Sequence, residues 1–342
     1  MNNNPKRIIV IRCGALGDLV YATSVIDALK FEFGEDSIID FVCTPGSGTL
    51  FSHDSRVNQV FPLKYKKLPI FFSKQKRNII NFSIKQPYDI LINFEYGKQF
   101  KGLVERIVAD KKVGAMFDCI GYDDSDINRG ELQKRFLDNL VSKSNLEKSF
   151  PKVATLEFEI IRNKFHLSDS YIVISPSNSH VNRSGINYRS WPNSSWIKLI
   201  KKLSCDSQVV IVGAKNESNF FKNLQPYPSN VVDLVGKNNV IELSSVIQNA
   251  KFVVCTDSAV GHISASVDTP VFVLMGPNNI FTDSPYISPT NYVHPISLRK
   301  DCSPCYKTSI MKACKDNVCM NEITVDMVLA EISSVKFEKN TN

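Results

Sequence analysis

The sequence predicts an α/β protein built from two doubly wound, parallel halves, and three observations predict it. Short apolar runs alternate with amphipathic segments from end to end, the rhythm of buried parallel strands and their crossover helices. The 342 residues exceed what one core usually supports, roughly 250 to 300 residues. A polar, charged stretch from Gly121 to Phe150 separates two such series. The composition, 43% hydrophobic and 22% charged with only 15 glycines, is that of a folded globular chain, neither disordered nor fibrous.

Taken in order, strands are predicted at residues 7–13 (RIIVIRC), 37–43 (SIIDFVC), 89–94 (DILINF) and 112–117 (KVGAMF). Amphipathic helices are predicted at 19–33 and 100–109. A loop, a helix and a linker follow, with the domain boundary at roughly residues 150 to 168. The second series has strands at 171–175 (YIVIS), 208–213 (QVVIVG), 230–236 (NVVDLVG), 252–257 (FVVCTD) and 270–276 (PVFVLMG), with helices at 194–203, 241–250 and 258–267. Residues 323–335 again have helical spacing. The expected organisation is a domain at 1–155, a second at 165–322, and a helix and tail at 323–342.

The early apolar run at residues 8–11 is closed by Arg12. It falls short of a signal-peptide core or the ~20 apolar residues of a membrane span, so the chain is expected in the cytosol. Its nine cysteines are then reduced thiols or metal ligands, not disulfides. Cys13, Cys43, Cys119, Cys205 and Cys255 lie in or beside apolar runs and read as small core residues. The net charge of +7 suits an anionic partner, such as a phosphorylated substrate or an acidic membrane face, and no nucleic-acid motif accompanies it.

In open α/β sheets ligands bind beyond the carboxyl ends of strands, so the strand-to-helix loops are where chemistry is sought. The first such loop is CGALGD, in which Gly14 and Gly17 let the backbone turn and Asp18 opens the helix. It is not a dinucleotide loop, because G-x-G-x-x-G and an acidic end to the second strand are missing, and it lacks the lysine of a phosphate loop. Asp18 is either a first-turn carboxylate stabilised by the helix dipole or a functional group.

The loop CTDSAVGH is the second. Asp257 ends a strand, and Ser258, Ala259 and Val260 offer the free backbone N–H groups of a new helix to a diphosphate. His262 follows on the next turn, as a packed residue or a site residue. Arg189, in NYRSWP, is placed to reach a phosphate or to sit on the surface. Cys302, Cys305, Cys314 and Cys319 form a C-x2-C-x8-C-x4-C array. Four such thiolates could close a tetrahedral zinc or iron site, remain reduced thiols, or pair as disulfides in an oxidising context. The stretch 64–85 interleaves cations with Phe71, Phe72, Ile79, Ile80 and Phe82, fitting either a basic surface helix with a core face or an amphipathic contact with an anionic membrane.

In this order GALGDLVYATSVIDAL, RSWP, TDSAVGHISASVDTPVFVLMGP and CSPC…C…CM…I resemble glycosyltransferase family 9, the bacterial heptosyltransferases of the lipopolysaccharide core. The resemblance implies GT-B architecture, two Rossmann-like domains facing a cleft, with acceptor on the first and donor on the second. It implies transfer of a heptose from ADP-heptose with inversion, to a lipopolysaccharide core or related glycan, without an essential catalytic metal. Asp18 matches the family's general base, Asp257 the carboxylate that holds the donor sugar, and Ser258 to Val260 the diphosphate loop. His262 matches the motif's histidine, Arg189 a basic residue facing the leaving diphosphate, and Glu217, more loosely, a nucleoside contact. Ala259 departs from the motif's glycine and narrows the phosphate loop. Two other readings stay open: a protein or other polysaccharide as acceptor, in keeping with related enzymes that carry cysteine-bound iron, and a non-catalytic nucleotide-sugar-binding scaffold.

Overall fold

In the computed structural model, which describes residues 5–118 and 127–335, the chain divides into two compact units, Met1–Ala154 and Thr155–Asn342. Cys119 and the ends of the chain lie outside the described residues.

The first unit holds a five-stranded parallel sheet of β1 (Arg7–Ile11), β2 (Ile38–Cys43), β3 (Gln59–Pro62), β4 (Tyr88–Asn93) and β5 (Ala109–Gly114), in the order β3-β2-β1-β4-β5. β1 is buried on both faces between β2 and β4, with Ile9 opposite Asp40 on one side and Leu91 on the other. Its continuous Ile and Val run is what such a position requires. The order reverses between β1 and β4, which makes their carboxyl ends the switch point of the sheet.

Several predicted elements are corrected. The single helix expected over 19–33 is two, Leu16–Ala22 and Ser24–Phe33. Thr23 lies between them, its hydroxyl donating back to the Val20 carbonyl at 2.6 Å, and Ser24 does the same to Tyr21. Such back-bonding competes with the helical ladder. β5 starts at Ala109 and ends at Gly114, whose φ of +110° closes the strand, so the preceding helix is only Lys101–Arg106. Gly17 is not a loop residue but lies inside the helix Leu16–Ala22. The edge strand β3 is too short and too exposed to leave an apolar run in the sequence.

The second unit holds a six-stranded parallel sheet of β6 (Tyr171–Ser175), β7 (Gln208–Ile211), β8 (Val231–Asp233), β9 (Val253–Thr256), β10 (Val271–Leu274) and β11 (Val293–Ile296). Its order, β11-β10-β9-β6-β7-β8, is the doubly wound arrangement with the switch point between β6 and β9. β11 carries Pro295 and was not predicted; as an edge strand it can spare that N–H. Helices Asn193–Leu203, Val240–Gln248 and Ala259–Ser266 fall within two residues of their expected limits. Trp191 and Trp196 are fully buried and meet edge to face at 4.9 Å, and the Trp191 indole donates to the Ile323 carbonyl. They fix the RSWP loop to the core, which the terminal helix Val325–Ser334 completes with Val328 and Ile332.

Candidate active site

At the switch point of the first unit, the loop after β1 delivers Arg12 and Asp18 and the loop after β4 delivers Glu95. The Asp18 carboxylate is used on both sides. Its Oδ2 accepts from the Ala15 N–H at 3.0 Å, capping the helix it opens, and its Oδ1 meets the Arg12 guanidinium at 2.9 Å. A Cβ at Gly14 would stand 2.5 Å from Asp18 Oδ2. Gly14 therefore serves by close approach, not by a left-handed φ. Arg12 is nearly buried and also donates to the Phe94 carbonyl, with Glu95 Oε1 at 3.5 Å. Glu95 in turn accepts from the Cys13 N–H at 2.7 Å.

Two cations of the stretch 64–85 turn inward here. Lys66 donates to the Cys13 carbonyl at 2.6 Å, and buried Lys76 donates to the carbonyls of Lys66 and Gln99. Burial holds the Lys76 pKa below the ordinary ammonium value and pushes the Cys13 thiol well above the ordinary range. The apolar residues of that stretch separate. Ile79, Ile80 and Phe82 pack on the core, whereas Phe71 (79% exposed) and Phe72 (68%) stand out in solvent. Sequence patterning singled out Asp18 but not Arg12, Glu95, Lys66 or Lys76, which carry no motif and meet only through the sheet.

At the switch point of the second unit, Arg189 and Asp257 come together. The guanidinium meets Asp257 Oδ2 at 3.1 Å and donates to Ser179 Oγ at 3.0 Å, with the Tyr306 ring beneath it at 5.6 Å. Asp257 is 7% exposed. Asn178 and Asn187 hold the Arg189 backbone from both sides through Asn178 Nδ2 to Arg189 O and Arg189 N to Asn187 Oδ1. Glu217 accepts from Ser177 Oγ at 2.7 Å, and the Ser177 carbonyl accepts from Thr256, so Glu217 is tied to the residue before Asp257.

Ser258 is the N-cap of the helix Ala259–Ser266, but no side chain caps that helix, and the buried Ser258 Oγ has no hydrogen-bond partner among the described residues. Val260 buries its side chain, and Ala259 and His262 are half-buried. His180 was not anticipated. Its Nε2 lies 3.2 Å from the Tyr306 hydroxyl, and burial, followed by the Arg189 and Arg183 charges, pulls its pKa down to about 4. The arrangement as a whole is an anion cradle: helix-start N–H groups, a buffered arginine and a carboxylate beside them.

Cys302, Cys305 and Cys314 of the cysteine array lie within electrostatic reach of Cys319. Among the described residues, no group of three or more His, Cys, Asp or Glu side chains is placed to hold a metal ion. Cys302 is exposed, while Cys319 is buried in the core, donating to Asn317 Oδ1 and lying 3.0 Å from where a Gly276 Cβ would stand. Burial, followed by the charges of Cys305, Cys302 and Cys314, pushes the Cys319 thiol up to about 11. The segment also contributes Tyr306 to the cradle. Of the other thiols, Cys13, Cys43 and Cys255 are buried as expected, but Cys205 is exposed, in the turn past the helix Asn193–Leu203. No helix among the described residues is long and apolar enough to cross a membrane.

The sequence profile of glycosyltransferase family 9 (heptosyltransferase) matches residues 116–315, more than half of the chain and all of the second switch point. The chain belongs to glycosyltransferase family 9. It is a glycosyltransferase, which sets aside the non-catalytic scaffold. It is 23% identical over 289 residues to lipopolysaccharide heptosyltransferase 3 of Escherichia coli, covering 76% of this chain and 80% of that one. Its fold matches that of a family 9 glycosyltransferase from Veillonella parvula DSM 2008 with a TM-score of 0.80 at 16% identity, over 98% of both chains. It also matches the ADP-heptose lipopolysaccharide heptosyltransferase II of E. coli, with a TM-score of 0.72 at 17% identity over 96% of this chain and 98% of that one. The architecture is GT-B. Asp18 lies outside the profile match, so its role rests on its geometry and on the resemblance of its loop.

Proposed function

We propose that this glycosyltransferase moves a heptose from ADP-heptose to a lipopolysaccharide core or related surface glycan, in a single inverting displacement. The observation that carries the reading is the second switch point. An uncapped helix start, Arg189 and a buried Asp257 lie together where a nucleoside diphosphate sugar would bind. The family membership and the named substrate of the E. coli heptosyltransferase II support the choice of sugar and nucleotide.

In this mechanism an acceptor hydroxyl gives its proton to the Asp18 carboxylate while its oxygen bonds to the anomeric carbon. The bond from that carbon to the diphosphate breaks on the opposite side, and ADP leaves with the electron pair. Arg189 and the N–H groups of Ser258 to Val260 take up the charge gathering on the diphosphate. Asp257 holds the sugar hydroxyls and Glu217 the nucleoside, with His262 shaping the pocket. Asp257 holds the Arg189 guanidinium at 3.1 Å, so the cation that would meet the diphosphate is already aimed. No step runs through a metal at the cysteine segment.

The test is to incubate the protein with ADP-heptose and a panel of glycolipid, polysaccharide and protein acceptors. Transfer to the glycolipid core with release of ADP is expected. Transfer only to a protein would move the enzyme to the other acceptor class, and absence of transfer, hydrolysis and ADP binding together would end the reading.

The first unit carries a surface suited to the membrane in which a glycolipid acceptor sits. Residues 63–86 carry no carboxylate; Lys64, Lys67, Lys74, Arg77 and Lys85 are exposed, and from their midst Phe71 and Phe72 project as an edge-to-face pair. Such a patch rests on anionic headgroups and inserts its rings. We place the enzyme on the inner face of the cytoplasmic membrane on this ground. Co-sedimentation with vesicles containing phosphatidylglycerol, lost in a Phe71→Ser/Phe72→Ser variant, is the expected result.

A further inference from the structure

We propose that Glu95 is a positioning residue for the general base, serving as the second counter-ion of Arg12 so that Asp18 can take up a proton. The inference rests on the reading of Asp18 given above and goes beyond it. Three groups meet at the carboxyl ends of two central strands: the Asp18 and Glu95 carboxylates and, between them, a guanidinium whose side chain is only 10% exposed.

The chemistry of the transfer creates the need for Glu95. Before reaction Asp18 is charged and pairs with Arg12. Once it holds the acceptor's proton it is neutral, and Arg12 would be a nearly buried cation with no opposing charge, a costly state. Glu95, itself largely buried, is already beside the guanidinium and supplies that charge. It is held there by the Cys13 N–H on its carboxylate and by Asn93, which bonds the Glu95 N–H and carbonyl. The geometry therefore keeps Arg12 paired in both protonation states of Asp18, and the proton changes only which partner carries the pairing.

The other charges around Asp18 do not take this place. Lys66 is engaged with the Cys13 carbonyl. Asp27, on the adjoining helix Ser24–Phe33, is bound by Arg56 at 2.8 Å, and the small helix Pro45–Gly48 carries no charge. The helix Arg129–Arg135, packed against the one that bears Asp18, brings Arg129, Glu131, Lys134 and Arg135, with Glu131 and Lys134 paired at 3.0 Å.

The experiment is the pH dependence of kcat/KM for transfer in wild type, Glu95→Gln, Glu95→Asp and Arg12→Gln, read beside the carbon-13 carboxyl titration of Asp18, which needs no turnover. In Glu95→Gln the acidic limb and the Asp18 titration are expected to move down by about one pH unit, because the unopposed guanidinium favours the charged carboxylate. The weaker base should slow turnover about threefold above the limb. In Arg12→Gln both should move up, and Glu95→Asp, which keeps the charge, should stay near wild type. The proposal is overturned if Glu95→Gln leaves the limb and titration in place. It is equally overturned if Arg12→Gln and Glu95→Gln move them the same way, or if Glu95→Asp behaves as Glu95→Gln. If wild type shows no transfer to any acceptor, the reading of Asp18 fails; if it transfers and Glu95→Gln does not shift, only the role of Glu95 fails.

Discussion

The two units repeat one topology and load its switch point with opposite chemistry. In the first, the helix that follows the central strand is capped by its own Asp18, and a guanidinium and a second carboxylate crowd the same spot. In the second, it is the helix after β9, the other strand of the switch point, that starts uncapped at Ser258 beside Arg189. A helix start is an anion site only while its N–H groups are open. Asp18 occupies its helix start with a negative charge and makes a phosphate unwelcome there, whereas Ser258 leaves its own open. A strand-to-helix turn at a switch point can thus handle a proton or hold a diphosphate, and the side chain at the first helical turn bears on which.

The largest effect should come from breaking the first switch point at its centre. Asp18→Asn is expected to lower kcat on the order of 10²-fold or more, since it removes the base while keeping the shape. Nucleotide affinity, measured by calorimetry with ADP, should stay at the wild-type value because every cradle contact described lies in the second unit. A matched loss of ADP binding would show that the two units do not divide the work in this way.

The converse substitution tests the other side. Arg189→Gln should lower kcat/KM roughly 10²-fold, through loss of a charge that grows in importance as the diphosphate departs. Unlike Asp18→Asn it should also weaken ADP binding. It leaves Asp257 buried without its cation, so the thermal midpoint should fall as well.

A smaller change sharpens the comparison further. Gly14→Ala puts a methyl group 2.5 Å from Asp18 Oδ2, and the carboxylate must swing off the Ala15 N–H to make room. About tenfold loss of kcat is expected from this misplacement, with ADP affinity unchanged. Equal activity in Gly14→Ala would show that the cap is not what aims Asp18.

The strands buried on both faces were legible in the sequence because a parallel core strand must be continuously apolar, as β1, β6 and β9 are. The edge strands β3 and β11 were not, since half-exposed residues and Pro295 erase that signal. Asp18, Arg189 and Asp257 could be named because each sits in a loop with local turn chemistry. Glu95, Lys66 and His180 could not, because their partners are 82, 53 and 126 residues away in sequence, and only the folded sheet or loop brings them together. The spacing of the cysteine array is local and could be read, whereas the burial of Cys319 and the exposure of Cys302 come only from the fold.

The most delicate probe of the second switch point is His180. Its pKa of about 4 in the folded protein lies below the ordinary 6.5, because the imidazole is partly desolvated and faces Arg189 and Arg183. Between those values the unfolded chain binds a proton that the folded one refuses. Stability tied to this group is therefore complete above pH 6.5, declines as the pH falls towards 4, and is flat below. His180→Asn should flatten that part of the curve of urea midpoint against pH. In wild type the imidazole nitrogen resonances should titrate near pH 4, and added ADP should raise the midpoint by placing phosphate charge beside Arg189 and His180. An ordinary midpoint that ADP leaves unmoved would mean that Arg189 does not face His180 in solution, and the cradle would lose the cation on which its preference for a diphosphate depends.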